Sequence, residues 1–536
     1  MLRVPHRGGF QYAAPPVVTD PAQRRAWFYW LPLLPLAAAL VVHTLVFDFV
    51  NDDAYISFVY ARNLAEHGQL VFNLGERVEG YTNFLWTVLV AGGMKLGVAP
   101  DVSARVLGAA FALATLPVAA RLVARVRGAR SGYDWLPAAL LAASSGYACW
   151  ASGGLETQLF TFTFVLAVER LWAGRFVASG LAFAACAMTR PEGVLLFGLA
   201  VLHHFAAERR LRPTRAELTW AAAFLGLYVP YFAWRFWYYG DLLPNTAYVK
   251  TGGTPSPAYS AQMHAQGLFY VWQWATQSKA LWAAPLALVA LWKRPRFASF
   301  AWVTTVVYLV YTWRVGGDFM GLHRFVLPLF VLTALLSTLG TAELAALTPR
   351  PALVGGALAA LLLAAFVPTQ VALTRLSLEP TADRGIDRPG YLALYAHDRG
   401  AIGARLRELG LREDELSWVG GVGVQPYFGR MRAYDVFGLV SRQVAHEVPP
   451  TRPRPGHQKW APPEMVLATA PAFIFYCYQM HPEPTHYQLC GEAGLFRARG
   501  YEDCTIRVPG LRESGEFYTF LKKKERDFPC LGPDGS

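Results

Sequence analysis

Apolar residues fall into long runs along this chain, separated by short polar clusters. The stretches 31–47, 327–339 and 352–367 contain no acidic or basic residue except one histidine. A helix of about 20 apolar residues is long enough to cross a bilayer. The pattern therefore predicts a polytopic α-helical membrane protein and excludes a soluble enzyme.

The apolar runs predict about eleven membrane-spanning helices, at 28–47, 102–124, 134–150, 155–172, 176–189, 193–206, 217–238, 281–292, 298–314, 325–342 and 352–370. Basic clusters follow the second, sixth, eighth and tenth spans, and four arginines precede the first. Cytoplasmic loops carry an excess of Lys and Arg, so all these clusters are assigned to the cytoplasm. This predicts a multi-pass protein of the inner (cytoplasmic) membrane with a cytoplasmic N-terminus and an extracytoplasmic C-terminal domain.

The stretch 84–98 is also apolar, but counting it as a span would move the later basic clusters outside. We interpret it as a re-entrant or interfacial helix within a long first external loop, 48–101. The predicted division is a transmembrane catalytic domain at 1–370 and an extracytoplasmic domain at 371–536. The latter is polar and proline-rich, with predicted strands at 417–424 and 472–478 and a helix at 401–409, which indicates an α/β fold.

Composition agrees with a membrane protein, because 54% of the residues are hydrophobic and 16% are charged. The net charge of +12 comes from clusters in the predicted loops, so it indicates topology and no nucleic-acid partner. Cys149 and Cys186 lie in apolar helices and are predicted to be packing residues. Two disulfides in any of three pairings are predicted for the C-terminal cysteines, Cys477, Cys490, Cys504 and Cys530.

Three polar residues, Asn51, Asp52 and Asp53, stand where the first span ends and an amphipathic helix at the membrane surface begins. In one interpretation Asn51 caps this helix and the aspartates favour its positive end. In the other, the two acids are catalytic. They would take a proton from an acceptor hydroxyl, or hold a divalent cation (Mg²⁺, Mn²⁺ or Ca²⁺) against a phosphate. Which aspartate would be the base stays open.

Further polar residues collect in the other predicted external segments. Charged groups near bilayer depth usually mark a site or an ion pair. Arg190 is either the structural partner of Glu192 or, like Arg324, a ligand for a lipid phosphate. His457 is either an ordinary loop histidine or a contact to the acceptor. The remaining candidate binding residues are Glu79, Tyr81, Asn83, Glu156, Asn245, Asp318 and His323.

The block at 52–64, beginning Asp-Asp-Ala-Tyr-Ile-Ser-Phe, is similar to the first-loop signature of the mycobacterial terminal arabinofuranosyltransferases, a family of GT-C class glycosyltransferases. The similarity continues at 75–86, 154–157, 190–193, 240–246, 316–318 and 456–457. The resemblance implies a GT-C fold of eleven spans and a polyprenyl-phosphate sugar donor. It also implies a catalytic carboxylate at Asp52 or Asp53. Val59 and Gln458 depart from the pattern and leave the sugar open.

The function predicted from these observations is transfer of a sugar, for example arabinofuranose, from a polyprenyl phosphate to a cell-envelope glycan or glycolipid on the extracytoplasmic face. Nucleotide sugars are absent there, so the donor must arrive on a lipid. One alternative is a lipid-linked sugar transporter or flippase, which would show repeat symmetry and polar groups at mid-membrane depth. The other is a non-catalytic envelope or motility factor with the same fold, which would lack the paired acids.

Overall fold

The computed structural model describes residues 28–251 and 255–532 of the 536-residue chain. The arginines predicted to hold the N-terminus in the cytoplasm lie outside this described part. A helical part extends to Ser377, and an α/β part follows it.

The helices of the first part follow the apolar runs of the sequence, most of them without polar interruption. They are α1 (Leu33–Phe47), α2 (Asp52–His67), α3 (Phe84–Lys95), α4 (Pro100–Arg127), α5 (Leu136–Ala143), α6 (Ser145–Ser152), α7 (Thr157–Trp172), α8 (Phe176–Thr189), α9 (Glu192–Glu208), α10 (Arg215–Tyr239), α11 (Asn245–Thr251), α12 (Pro257–Gln277), α13 (Ala280–Lys293), α14 (Pro295–Arg314), α15 (Leu327–Ala345) and α16 (Pro351–Ser377).

Every predicted span contains a helix, but the span at 134–150 is wrong as a single helix. The chain is extended at Ser144, which separates α5 from α6. The cause lies far away in sequence. The side chain of Gln370 on α16 accepts a hydrogen bond from the Ser145 N–H at 3.1 Å, in place of a helical carbonyl. A second difference is α12, which occupies a stretch expected to be an external loop.

Three helical segments are long and apolar enough to cross a membrane, by length and composition within the described residues: Pro100–Arg127, Arg324–Ala345 and Pro351–Ser377. The pair α1 and α2 passes the same test together, but it bends by 97°. This criterion does not confirm the predicted number of eleven spans. The bend directs α2 away from the axis of α1, as expected for a helix lying at the membrane surface.

The C-terminal part has the predicted α/β character. Its sheet has five strands in the order β4-β3-β5-β7-β6, and the pairings of β3 with β4 and β5 are parallel. The strands are β1 (Ala382–Asp383), β2 (Ile386–Asp387), β3 (Leu416–Val419), β4 (Arg432–Asp435), β5 (Phe473–His481), β6 (Tyr501–Arg507) and β7 (Phe517–Lys523). The helices are α17 (Pro389–Glu408), α18 (Val424–Gly429), α19 (Arg442–Glu447), α20 (Pro463–Ala468) and α21 (Ala493–Ala498).

All four C-terminal cysteines form disulfides, as predicted. Cys477 pairs with Cys490, and Cys504 pairs with Cys530. Both bonds stabilise the sheet, because each joins a strand to a neighbouring loop. Cys149 and Cys186 are buried free thiols, which fits the prediction that they are packing residues.

The two parts share one hydrophobic core at their junction. Tyr60 of α2 and Leu70 of the following loop belong to the same buried cluster as Val422 and Met431 of the C-terminal part. The α/β part therefore packs on the predicted first external loop, and the geometry of that junction decides where the side chains of α2 point.

Candidate active site

Asn51 caps the first turn of α2, as one of the two interpretations of the sequence expects. The side-chain oxygen of Asn51 accepts a hydrogen bond from the Asp53 N–H at 3.1 Å. Asn51 is itself fixed, since its own N–H donates to the Gly153 carbonyl at 3.1 Å and its side-chain amide contacts the sulfur of Met320 at 2.9 Å. The start of α2 is thus held against two loops of the helical part, with both aspartates in its first turn.

The two aspartates point in different directions. Neighbouring positions on a helix diverge by about 100°, since there are about 3.6 residues per turn. The Oδ1 of Asp52 accepts a hydrogen bond from the Val424 N–H of the α/β part at 2.8 Å. The carboxylate of Asp53 forms no hydrogen bond or ion pair with any other described residue, and it lines two cavities that meet at this residue.

The first of these, here called the inner cavity, has a volume of about 180 Å³ and lies between α2 and the ends of the spanning helices. It brings together residues from loops that are far apart in sequence. Its lining includes Asp53, Tyr81, Asn83, Glu156, Arg190, Lys250, Tyr311, Asp318, Arg324 and His457.

Acidic partners hold the two arginines of the inner cavity. Arg190 contacts Glu156 at 2.9 Å and Glu192 at 3.2 Å, and the Nε of Arg324 donates to Asp318 at 2.9 Å. The predicted Arg190–Glu192 pair is therefore present. It leaves further donors available, because a guanidinium carries five N–H groups. Neither of the two Nη nitrogens of Arg324 donates a hydrogen bond to a described residue.

The second cavity, here called the outer cavity, has a volume of about 360 Å³ and lies between α2 and the α/β part. It shares Asp53, Ile56, Phe319, Leu439 and His457 with the inner cavity. Its wall is rich in aromatic residues, and its other charged groups are Asp52, Asp387, Arg399 and Arg454. The aromatic residues are Phe319, Tyr391, Tyr395, Phe437, Trp460, Phe475, Tyr476 and Tyr478.

Two titratable groups at the meeting point of the cavities are shifted toward their neutral forms. Burial raises the pKa of Asp53 to about 7, although the positive charge of Arg324 opposes this shift. Burial also lowers the pKa of His457 to about 4, so its imidazole is neutral near pH 7. The His457 ring lies edge-to-face against Phe319 and Phe437, and its Nδ1 lies 3.2 Å from the Pro455 carbonyl.

Eight of the predicted binding and catalytic residues line the inner cavity, and the others lie around it. Asp52 lines only the outer cavity, and Glu192 stands behind Arg190. The remaining three are engaged elsewhere: Glu79 with Arg235 at 2.7 Å, Asn245 with the Leu439 carbonyl at 3.0 Å, and His323 with Gln277 at 2.9 Å.

Sequence reasoning missed Lys250 and Tyr311. Lys250, on α11, lines the inner cavity, and Tyr311 donates a hydrogen bond to Glu192 at 3.2 Å. Burial lowers the pKa of Lys250, while the negative charge of Glu192 opposes that shift. No local signal marks this lysine, because residues 245–251, Asn-Thr-Ala-Tyr-Val-Lys-Thr, form a largely polar segment in which a lysine is ordinary.

The residues of this site do not form a cage for a divalent cation. No group of three or more His, Cys, Asp or Glu side chains that could hold a metal occurs among residues 28–251 and 255–532. Asp52, one of the two predicted ligands, already accepts a backbone hydrogen bond. The divalent cation stays a prediction, and no step below depends on one.

Comparison with solved structures defines the class of fold. The chain superposes on ArnT from Cupriavidus metallidurans bound to undecaprenyl phosphate with a TM-score of 0.55 and 13% sequence identity, over 92% of this chain and 98% of that one. It superposes on the arabinofuranosyltransferase AftD from Mycobacteria with a TM-score of 0.50 and 14% identity, over 94% of this chain and 40% of that one. The predicted GT-C type of fold is thereby confirmed.

A curated relative supports the resemblance found in the sequence. The chain is 30% identical over 341 residues to the terminal beta-(1->2)-arabinofuranosyltransferase of Mycobacterium tuberculosis. The match spans about half of each protein, 53% of this chain and 52% of the relative. No family model matches the chain.

Proposed function

We propose that this protein is a membrane glycosyltransferase that moves a sugar from a polyprenyl phosphate to a glycan acceptor. The sugar that we propose is arabinofuranose. One observation carries the proposal. Asp53, a carboxylate without a hydrogen-bond partner in the described structure, stands where a cavity with basic side chains meets a cavity with aromatic walls. A transferase needs a base between a donor and an acceptor, and this is the place that the fold provides for one.

In the proposed reaction, Asp53 takes the proton from an acceptor hydroxyl in the outer cavity. The hydroxyl oxygen forms a bond to the anomeric carbon of the donor sugar. The bond between that carbon and the phosphate oxygen breaks, and its electron pair stays on the phosphate. The products are the extended glycan, the polyprenyl phosphate and a protonated Asp53, which then releases its proton to solvent. A base with a pKa near the working pH is well suited to such a transfer.

The inner cavity suits the phosphate of the donor. Arg190, Arg324 and Lys250 present N–H donors there, and charge-assisted hydrogen bonds to phosphate are about twice as strong as neutral ones. The leaving phosphate gains negative charge as the bond breaks. Cations already in place stabilise that charge without reorganising.

The outer cavity suits the acceptor. Its aromatic walls offer flat apolar faces to the C–H faces of sugar rings, and Arg454 and Asp387 supply polar contacts at its edge. The curated relative, an arabinofuranosyltransferase, supports arabinofuranose as the sugar that is transferred to this acceptor. We place both cavities on the extracytoplasmic face, because the α/β part carries two disulfides, which form and persist in oxidising compartments.

The direct test is transfer by the purified protein in lipid nanodiscs. We expect polyprenyl-phosphate arabinofuranose and a short arabinan to give an extended glycan and free polyprenyl phosphate. A nucleotide sugar should not replace the lipid donor. Movement of the lipid-linked sugar across a vesicle membrane without any extended glycan would contradict the proposal and support the transporter.

The pH dependence of transfer should follow the ionisation of Asp53. Burial, together with the charges of Asp52 and Asp318, raises its pKa to about 7, and Arg324 and Lys250 oppose the shift. Only the ionised form accepts a proton. The acid limb of kcat/KM should therefore bend near pH 7 and fall about tenfold for each pH unit below it. A flat profile between pH 5 and 8 would contradict the assignment of the base.

Protonation of Asp53 does not unfold the protein, so acid unfolding through this residue cannot explain a fall of kcat/KM below pH 7. The folded-state pKa of Asp53 lies above its unfolded value, so the folded state binds more protons between about pH 4 and 7. The contribution of Asp53 to stability is then fully present at low pH and is lost as the pH rises through about 7. Melting temperatures measured across the same range separate the two effects.

Lys250→Met should weaken donor binding. Loss of a hydrogen bond to a charged group costs about 1.5–3 kcal/mol, which corresponds to roughly a 10- to 150-fold rise in the donor KM. Lys95→Met is the matched control, because Lys95 is an exposed lysine at the end of α3. Equal donor KM values for the two variants would remove Lys250 from the phosphate site.

A further inference from the structure

The two aspartates differ in what surrounds them, and the difference points to separate roles. Asp53 lines both cavities, whereas Asp52 lines only the outer cavity and is bonded to the end of the turn 420–423, which links β3 to α18 in the α/β part. The Asp52 carboxylate accepts the Val424 N–H at 2.8 Å. This contact joins the two parts of the chain one residue away from the proposed base.

The turn packs against the start of α2 without spare room. A methyl group at Gly423 would lie 2.1 Å from the backbone oxygen of Asp52 and 2.6 Å from its Cγ. A methyl group at Gly421 would lie 2.6 Å from the Tyr395 hydroxyl and 3.3 Å from the Oδ2 of Asp52. Packing requires glycine at both positions, because only a residue without Cβ allows the turn to approach α2 so closely.

The contact continues along one face of α2. The ring of Tyr427 on α18 lies 5.2 Å from the ring of Tyr55 and 6.4 Å from that of Phe58. Arg62 donates to the Tyr427 carbonyl at 3.0 Å. With Asp52, these residues recur at helical spacing, so a single stripe of α2 rests on α18. The rotation of α2 about its axis is therefore fixed from the α/β side, and Asp53 projects from the neighbouring face.

We infer that Asp52 is a positioning residue, and that its contact with the turn 420–423 makes the α/β part set the direction of the Asp53 carboxylate. The inference rests on the proposed function for its catalytic meaning. It assigns different roles to the two adjacent acids. It also means that the α/β part positions the base, besides lining the outer cavity in which the acceptor binds. A displacement of about 1 Å at a reacting group can cost about 10²-fold in rate.

The test compares kcat for two substitutions of Asp52 with kcat for a control variant that breaks another contact between the same two parts of the chain. Asp52→Asn keeps an oxygen that can accept the Val424 N–H, so kcat should stay within about threefold of wild type. Asp52→Ala loses that oxygen, and kcat should fall about 10- to 100-fold with little change in the donor KM. Asn73→Ala breaks two bonds between the same parts of the chain, at 3.1 and 3.0 Å to Ala433, and should leave kcat near wild type.

A second readout does not depend on transfer. In Asp53→Cys the new thiol is readily distinguished, because the two free cysteines are buried and the other four are in disulfides. Its labelling rate by a water-soluble thiol reagent should change several-fold when Asp52→Ala is added. The rate should not change when Asn73→Ala is added.

Each outcome decides between the roles. If Asp52→Asn loses as much activity as Asp53→Asn, the charge of Asp52 acts in the reaction and the positioning role is wrong. If Asp52→Ala has no effect, or if Asn73→Ala has the same effect on kcat and labelling, the contact is ordinary domain packing. If the wild-type protein transfers no sugar, the proposed function fails, and the labelling rates still decide whether Asp52 directs the side chain at position 53.

Discussion

Asp53→Asn should lower the rate of sugar transfer by about 10²–10⁴-fold, the usual effect of losing a general base. Asparagine has the size of aspartate but cannot accept the proton of the acceptor hydroxyl. The loss should appear in kcat, measured at saturating donor. The donor KM should not rise, because removing a negative charge beside the phosphate site does not weaken anion binding.

The same variant should stay folded. The Asp53 carboxylate has no hydrogen-bond or ion-pair partner in the described part of the chain, and its backbone N–H, which Asn51 caps, is unchanged. We expect the melting temperature of Asp53→Asn to equal or exceed that of wild type, since a half-buried charge without an ion-pair partner is removed. Transfer near the wild-type rate would show that the Asp53 carboxylate is not the base.

The sequence predicts the helices well because long apolar runs have few alternatives to a helix in a membrane. The prediction of helices fails where a side chain that is distant in sequence bonds a backbone N–H and replaces the helical carbonyl as its acceptor. The break at Ser144 depends on the side chain of Gln370, which is 225 positions away from Ser145. No local pattern around Ser144 contains that information.

The site was predictable for a different reason. Polar residues assigned to one side of the membrane must gather where the spans end, and Glu156, Arg190, Asp318 and Arg324 do meet around the inner cavity. Their roles as donor ligands stay predictions.

The division of work between Asp52 and Asp53 could not be derived from sequence. Helical geometry predicts that the two side chains diverge, but it does not say which one lines the inner cavity. The answer depends on Val424, 372 positions away from Asp52. Lys250 escaped attention for a similar reason, because its acidic neighbours come from other loops.

Arg190→Met should destabilise the protein by about 3–5 kcal/mol, the usual cost of removing one partner from a buried ion pair. Arg190 is 8% exposed and contacts Glu156 and Glu192, so its loss leaves two buried carboxylates without their cation. Unfolding of the purified protein in detergent, followed by melting temperature, measures the effect. Arg432→Met is a suitable control. Its pair with Glu76 is partly exposed, at 45% for Arg432 and 24% for Glu76, and ion pairs in contact with solvent contribute about 0–1 kcal/mol.

A double variant separates the two interpretations of Arg190. Adding Glu192→Gln to Arg190→Met removes one of the unpaired charges, so part of the lost stability should return. Donor binding should not return, because the neutral pair offers no cation to a phosphate. Recovery of both would leave Arg190 as a purely structural partner of the acids. If Arg190→Met kept the wild-type melting temperature and lost only donor binding, the buried pair would not stabilise the fold. The arginine would then act only as a ligand of the phosphate.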